Sequence, residues 1–206
     1  MRKITIVDYG SGNVLSAQKS FVKTAKDNNI KADVLISKKL NDIKDSTHVV
    51  LPGQGAFPTC MNGLKKTDGL IEELSEFALI KKKPFLGICV GMQMLAKKSE
   101  EKGDHEGLGW IDGQIKLLPE ENLKLPHMGW NLAIPTNSKY NNLISNKNDY
   151  YFVHSYYFDC ANKDNILAET NYGTNFASIV GKENIYGVQF HPEKSSSQGL
   201  NLLKEF

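Results

Sequence analysis

The stretch GICVGMQ at residues 87–93 decides how this chain folds around its most reactive side chain. It places Cys89 between two glycines, after the apolar run 84–88 and before the apolar residues of 92–95. The pattern predicts a buried strand, a sharp turn that carries the thiol, and then a helix, because flanking glycines permit strained dihedral angles and close backbone approach. A helix N-terminus behind a thiol can lower its pKa from about 8.5 to about 3.5–7.5. Although a free cysteine is usually a small buried hydrophobic residue, this setting predicts a nucleophile.

A histidine and a carboxylate follow another predicted strand much further along the chain, in the stretch GVQFHPE at residues 187–193. His191 and Glu193 are two residues apart, and such residues share one face of a strand. Pro192 blocks ladder pairing and stiffens the pair. Glu193 can accept a hydrogen bond from one ring nitrogen of His191, which leaves the other nitrogen to face the thiol. With Cys89, these residues predict a nucleophile, a base and an orienting carboxylate.

The composition is that of an ordinary globular protein. The chain has 206 residues, of which 40% are hydrophobic and 23% charged, and this length suits one α/β domain with a substantial core. The net charge of +2 is too small to indicate a nucleic-acid or lipid partner. The three cysteines form no C-x-x-C pair and the histidines lack ligand spacing, so we predict neither a disulfide framework nor a metal.

Two further predictions concern location and cofactors. The N-terminus leads directly into a strand pattern, with no signal peptide and no apolar stretch of membrane-spanning length, which predicts a cytoplasmic protein without a membrane partner. Neither glycine-rich segment has the spacing of a phosphate-binding or dinucleotide-binding loop, so no cofactor is predicted.

Alternating strand and helix patterns fill the first half of the chain. They predict strands at 4–8, 32–36, 48–51 and 84–88 and helices at 14–26, 56–65, 70–80 and 91–98. Such βα units form a mostly parallel sheet.

Short strand patterns separated by polar turns fill the second half, and a helix pattern returns only at 198–206. We therefore predict a three-layer α/β fold with a mostly parallel central sheet, helices on both faces and added antiparallel strands in the C-terminal half. The absence of linkers and repeats predicts one domain over residues 1–206. The predicted C-terminal strands lie at 114–118, 132–134, 150–153, 166–170, 177–180 and 186–190.

Unusual loops follow four of the predicted strands, and open α/β sheets bind ligands at the carboxyl ends of their strands. The loops are DYGSGN at 8–13, PGQGAF at 52–57, the Cys89 turn, and the His191 segment. Glycines beside a nucleophile allow backbone N–H groups to point at a developing oxyanion. This predicts an oxyanion hole formed by Gly53, Gln54 and Val90.

Taken together, these motifs resemble those of the class I (triad) glutamine amidotransferases, and more narrowly the branch that serves as the glutaminase subunit of imidazole glycerol phosphate synthase. The cysteine turn and the His-Pro-Glu segment are typical of the superfamily. The branch is indicated by DYGSGN and by PHMGWN at 126–131, supported by YFVHSY at 151–156. The similarity runs nearly end to end.

The resemblance implies hydrolysis of L-glutamine to glutamate and ammonia by Cys89, His191 and Glu193, through a γ-glutamyl thioester. It also implies that the ammonia passes to a separate (β/α)₈-barrel synthase subunit of histidine biosynthesis. The substrate would be bound by Gly55, Gln93, Glu101, His154, Ser155 and Tyr156. The partner would be contacted by Asn13, His127, Met128, Trp130, Tyr151 and Lys194.

One residue departs from the family pattern, since many members carry valine where this chain has Gln54. The oxyanion hole needs only the backbone N–H, but a polar side chain can change how readily the loop turns that group inward. Two other functions remain open at this point. One is an amidotransferase subunit that supplies ammonia to a sugar-modifying synthase, and the other is a non-catalytic binding protein of the same fold.

Overall fold

The computed structural model describes residues 1–119, 123–136, 138–139, 141 and 143–206. Five parallel strands form the centre of the sheet, in the spatial order β2-β1-β3-β4-β13. Buried apolar residues dominate β4, as expected for a strand that helices cover on both faces. The strands are β1 (Arg2–Val7), β2 (Ala32–Ser37), β3 (His48–Gly53), β4 (Phe85–Cys89) and β13 (Ile185–Val188).

Helices pack on the parallel strands in two groups. The right-handed crossover rule puts the β1–β2 helix on one face and the β2–β3 and β3–β4 helices on the other, because the chain reverses direction across the sheet at β2. Accordingly, α1 contacts α6, whereas α3 contacts α4 and α5. The helices are α1 (Val14–Asp27), α2 (Leu40–Lys44), α3 (Phe57–Lys65), α4 (Leu70–Ser75), α5 (Val90–Gln93) and α6 (Ser196–Glu205), and α4 continues as a π-helical turn over Glu76–Ile80.

Strands that pair antiparallel, except for the parallel pair β7 and β5, extend the sheet beyond β13 and form a second branch. The main path continues through β12, β10, β7, β5 and β6, and the branch leaves β12 through β11 to β8 and β9. This arrangement confirms the predicted fold class. The strands are β5 (Lys98–Ser99), β6 (His105–Glu106), β7 (Gly113–Leu117), β8 (His127–Pro135), β9 (Asn148–His154), β10 (Tyr156–Cys160), β11 (Ile166–Tyr172) and β12 (Thr174–Lys182).

One predicted element is wrong. The helix expected at 91–98 is the four-residue α5, and the chain then turns into the short strand β5. Met94, Leu95 and Ala96 are fully buried, and their carbonyl groups accept hydrogen bonds from the backbone N–H groups of residues 108–111. These distant partners replace the intrahelical bonds that a longer helix would form.

The ends of the parallel strands bring the unusual loops together. The last residue pair between β3 and β4 is Gly53 with Cys89, and β13 lies beside β4 on its other side. A tyrosine of the first loop reaches the third strand, because Tyr9 donates to the carbonyl oxygen of Pro52 at 2.7 Å. No helix in the described ranges is long and apolar enough to span a bilayer.

Candidate active site

Cys89 ends β4 in a strained backbone conformation, with φ of 56° and ψ of −115°. A positive φ is rare for a residue with a side chain and is typical of a nucleophile held on a sharp strand-to-helix turn. Gly91 makes the turn possible, since a Cβ atom there would lie 1.8 Å from the carbonyl oxygen of Leu51 on β3. The predicted turn is therefore present, and its tightness depends on a glycine after the cysteine.

We expect Gly91→Ala to destabilise the chain by about 3 kcal/mol, at the upper end for overpacking, because the clashing atom belongs to the backbone and cannot rotate away. Urea unfolding measures the change. Gly10→Ala is the matched control: Gly10 has a φ of 84° but no atom within 4 Å of its added Cβ, so it carries only the left-handed strain of about 1 kcal/mol. Equal losses in the two variants would contradict the packing argument.

His191 and Glu193 follow β13 and form the second part of the site. The Nδ1 atom of His191 donates to Oε1 of Glu193 at 2.9 Å, and the two side chains are 7% and 3% exposed. Nε2 of His191 is buried and has no hydrogen-bond partner among the described residues. This nitrogen is therefore the one available to the thiol, as the sequence predicts.

The electrostatics of His191 favour a protonated ring. Burial lowers the pKa of the imidazole, but the Cys89 thiolate and the Glu193 carboxylate outweigh that effect and raise the pKa to about 10. The site can therefore hold His191 as an imidazolium at neutral pH.

Backbone contacts fix the His191 segment to β9. The N–H of His191 donates to the carbonyl oxygen of Tyr151 at 2.9 Å. The hydroxyl of Ser195 donates to the carbonyl oxygen of His191 at 2.6 Å and accepts from the N–H of Tyr151 at 3.0 Å. Ser195 is fully buried, and no sequence motif predicts a role for it. Its place four residues after the histidine is the only signal that could have suggested one.

The predicted oxyanion loop lies directly against the cysteine turn. A Cβ atom on Gly53 would lie 2.5 Å from the backbone nitrogen of Gly91, so the loop and the turn need a glycine at this contact. The carbonyl oxygen of Gln54 accepts from the hydroxyl of Ser11 at 2.8 Å and from the thiol of Cys60 at 3.4 Å. No sequence motif predicts these anchors, although the glycines around Ser11 mark a loop at the same sheet edge.

A cavity of about 280 Å³ opens at the cysteine turn, near the lower end of the range of small-molecule sites. Glu101 is fixed at its wall, because its Oε2 atom accepts from the N–H of Phe57 at the start of α3 at 2.8 Å. Gly53 and Glu193 contact the lining residues Val90 and His191 but do not line the cavity themselves. The residues that line the cavity are Gln54, Gly55, Cys89, Val90, Gln93, Glu101, Pro126, Val153, His154, Ser155, Tyr156, His191 and Lys194.

The cavity thus contains every residue that the resemblance assigns to the substrate. Gln93 is the least exposed of them at 2%, and its Nε2 atom donates to the carbonyl oxygen of Tyr156 and to Oε1 of Gln189, both at 3.0 Å. Gln189 is a buried residue beside the nucleophile; it lies within the motif GVQFHPE, but the motif predicts no role for it. Within the described ranges, no three His, Cys, Asp or Glu side chains are arranged to hold a metal ion.

The residues predicted to face a partner divide into two groups. Met128 and Trp130 on β8 are 61% and 56% exposed, and the Trp130 ring packs edge-on against Tyr151 of β9 at 6.1 Å between centroids. His127, in contrast, is buried at 3% exposure and stacks on Phe152.

The prediction that the His127 side chain faces a partner therefore does not match its position. Of the other two predicted contacts, Lys194 is exposed at the cavity. The side chain of Asn13 caps α1 by accepting from the N–H of Ser16 at 3.3 Å.

Comparison with solved structures shows the fold independently of sequence. A structure described as glutamine amidotransferase aligns with a TM-score of 0.71 at 15% identity, over 98% of this chain and 97% of that one. A glutamine amidotransferase from Thermotoga maritima aligns with a TM-score of 0.62 at 18% identity, over 96% of this chain and 78% of that one. At these identities the comparison establishes the fold alone.

Comparison with curated proteins gives relatives over nearly the full length. The imidazole glycerol phosphate synthase subunit HisH of Pelagibacter ubique is 47% identical, over 98% of both chains. The subunit of the same name from Rhodospirillum rubrum is 42% identical, over 99% of this chain and 97% of its own length.

The family model named glutamine amidotransferase class-I matches residues 5–206. Fold, sequence profile and relatives agree, and the chain belongs to the class-I glutamine amidotransferase family.

Proposed function

We propose that this chain hydrolyses L-glutamine to glutamate and ammonia as the glutaminase subunit of an imidazole glycerol phosphate synthase in histidine biosynthesis. The observation that carries the proposal is that Cys89 and His191, on separate elements of the fold, meet at one cavity. The names of the full-length relatives supply the pathway. A binding protein of this fold would have no need for a histidine whose free nitrogen faces a thiol.

The first half of the reaction transfers the acyl group of glutamine to sulfur. The thiolate of Cys89 attacks the side-chain amide carbon, and the carbonyl oxygen becomes an oxyanion. The N–H of Val90 and a backbone N–H of the loop at Gly53 and Gln54 would face that oxygen, and one such donor is worth about 2.7–4 kcal/mol. His191 gives its Nε2 proton to the leaving nitrogen. Ammonia departs and a γ-glutamyl thioester remains.

The second half returns the enzyme to its starting state. Neutral His191 accepts a proton from water at Nε2, and the resulting hydroxide attacks the thioester carbon. The carbon–sulfur bond then breaks to release glutamate and the thiolate, while His191 keeps the proton. Glu193 stays ionised throughout and stabilises the imidazolium through the 2.9 Å hydrogen bond to Nδ1.

Glutamine would be held by its charged head at the wall of the cavity. Glu101 has one carboxylate oxygen fixed by the N–H of Phe57, and its charge can pair with the substrate's ammonium group. Lys194 lines the same cavity and can attract the substrate's carboxylate. Gly55, Gln93, His154, Ser155 and Tyr156 complete the proposed pocket.

The ammonia would pass to a (β/α)₈-barrel synthase subunit, in a cytoplasmic heterodimer that makes imidazole glycerol phosphate and aminoimidazole carboxamide ribotide. Exposed methionine and aromatic side chains are enriched in protein interfaces. Met128, Trp130 and Tyr151 form such a cluster beside the His191 segment, because the backbone of Tyr151 holds that segment in place. We assign these residues to the interface.

Glutaminase turnover with and without the barrel subunit tests the proposal. We expect ammonia release from L-glutamine, and synthase activity driven by glutamine, when the two subunits and the barrel's nucleotide ligand are combined. We expect the isolated chain to be far less active, as in the family, because the oxyanion loop needs the partner. Full activity of the isolated chain would refute that dependence. A reconstituted complex that uses free ammonia but never glutamine would refute the glutaminase function.

A further inference from the structure

A series of buried hydrogen bonds leads away from the nucleophile. The Nε2 atom of Gln189 lies 3.9 Å from the sulfur of Cys89, within the limit for a hydrogen bond to sulfur. The Oε1 atom of the same amide accepts from Nε2 of Gln93 at 3.0 Å. Gln189 is fully buried, so water cannot substitute for either partner.

Only one orientation of the two amides satisfies this series of hydrogen bonds. The carbonyl oxygen of Tyr156 can only accept, so the group of Gln93 that faces it at 3.0 Å must be the NH₂. The second hydrogen of that NH₂ then points to Gln189, which must offer its oxygen. The NH₂ of Gln189 is left to face Cys89. A flipped Gln189 would place NH₂ against NH₂, which is repulsive, and an oxygen against the sulfur, which would destabilise the thiolate.

Two neutral histidines fix the end of this hydrogen-bond series that is far from Cys89. The carbonyl oxygen of Tyr156 also accepts from Nδ1 of His154 at 2.9 Å. Nε2 of His154 then accepts from Nδ1 of His127 at 2.9 Å, and Nε2 of His127 accepts from the amide of Asn131 at 3.1 Å. Burial lowers the pKa of His154 to about 3 and that of His127 to about 4. Both rings are neutral donors at physiological pH, with defined tautomers.

We propose that Gln189 is a further catalytic residue, whose side-chain amide donates a hydrogen bond to the sulfur of Cys89 and stabilises the thiolate. Gln93 and the carbonyl group of Tyr156 are the positioning groups that keep the donor turned toward the sulfur. A hydrogen bond to the charged form of an acid favours ionisation. This catalytic role of Gln189 presupposes the proposed glutaminase function. The ionisation of Cys89, however, can be measured without any turnover of glutamine.

If Gln189 had a purely structural role, it would accept the hydrogen bond from Gln93 and have no effect on the ionisation of the Cys89 thiol. The two roles differ in the pH profile of Cys89 alkylation by iodoacetamide, followed by mass spectrometry of the peptide that contains Cys89. We expect Gln189→Met, which keeps the length of the side chain but removes the donor, to raise the apparent pKa of Cys89 by about one unit. A profile that matches that of the unaltered chain, in a folded variant, would overturn the proposal.

The matched control is Ser178→Ala. Ser178 is a fully buried neighbour whose carbonyl oxygen accepts from the N–H of Gln189 at 2.9 Å, and its hydroxyl makes no hydrogen bond among the described residues. This variant removes a buried polar group without touching the hydrogen-bond series, so the profile should stay unchanged. An equal rise of the apparent pKa of Cys89 in Ser178→Ala would mean that the effect comes from general loosening of the packing. That result would overturn the assignment of Gln189 as the donor.

A measurement on the unaltered chain covers the case in which Gln189→Met does not fold. We expect the side-chain amide resonance of Gln189 in ¹⁵N spectra to titrate with the pKa found by alkylation, and to lose that titration in Cys89→Ser. A Gln189 amide resonance whose chemical shift does not change as Cys89 ionises would overturn the proposal, whatever the glutaminase assay gives.

Discussion

Cys89→Ser in the reconstituted complex is expected to abolish synthesis driven by glutamine while synthesis driven by free ammonia continues. A neutral serine hydroxyl is a far weaker nucleophile than a thiolate, and removal of the nucleophile from a comparable triad costs about 10⁶-fold in kcat. We therefore expect glutaminase turnover to fall by at least about 10⁴-fold. In the proposed complex, the ammonia-driven reaction needs only the partner subunit and an intact interface, and neither depends on the sulfur of Cys89.

The matched control for this substitution is Cys160→Ser. Cys160 is a half-buried free thiol on β10 that does not line the cavity, so the same chemical change there should leave both reactions intact. Loss of both reactions in Cys89→Ser would mean that Cys89 maintains the fold or the interface. Unchanged glutamine use would remove Cys89 from the mechanism altogether.

The same variant has a spectroscopic consequence at His191. The thiolate is one of the two groups that raise the pKa of His191 from 6.5 to about 10, so its removal should lower that pKa in an NMR titration of the imidazole. Because the folded pKa lies above the unfolded one, the stabilisation is fully present below about pH 6.5 and is lost as the pH rises through about 10. In Cys89→Ser, this alkaline loss should move to lower pH.

The sequence predicts the parallel half of the fold well because its strands and helices are locally consistent. Short apolar runs bounded by turn residues alternate with helix patterns, and Gly87 and Gly91 have a direct steric reason that can be recognised from their spacing around Cys89. The helix expected at 91–98 shows the limit of this reasoning. Residues 94–96 are buried on all sides, so their apolar character carries no helical period, and only the distant segment 108–111 determines where their carbonyl groups bond.

The same limit applies to the site. The sequence motifs identify Cys89, His191 and the loop at 52–57, because these stand beside glycines and prolines at the ends of strands, whereas the other predicted substrate residues come from the family resemblance. The residues that orient them, such as Ser11, Gln189 and Ser195, carry no local signal. Gln189 and Gln93 are 96 positions apart, and Ser11 and Gln54 are 43 positions apart. Such partners are found only when the fold brings them together.

Glu193→Gln should lower kcat for glutamine hydrolysis by about 10²–10⁴-fold and leave KM nearly unchanged. The substitution keeps the shape of the side chain but removes the charge that stabilises the imidazolium. A neutral amide can also turn its NH₂ toward Nδ1 of His191, which forces the proton onto Nε2 and prevents that nitrogen from accepting one. Glu193 stands behind the cavity lining, so substrate binding should be spared.

Glu183→Gln makes the same chemical change at an exposed carboxylate, which pairs with Lys82 at 2.8 Å. Exposed ion pairs contribute little to stability because water screens them, so this control should retain full activity and nearly full stability. A loss in Glu193→Gln that falls equally on kcat and KM would mean that Glu193 shapes the pocket. Full activity in Glu193→Gln would mean that backbone contacts from Tyr151 and Ser195 suffice to orient His191, and that the carboxylate's charge contributes nothing to the proton transfer.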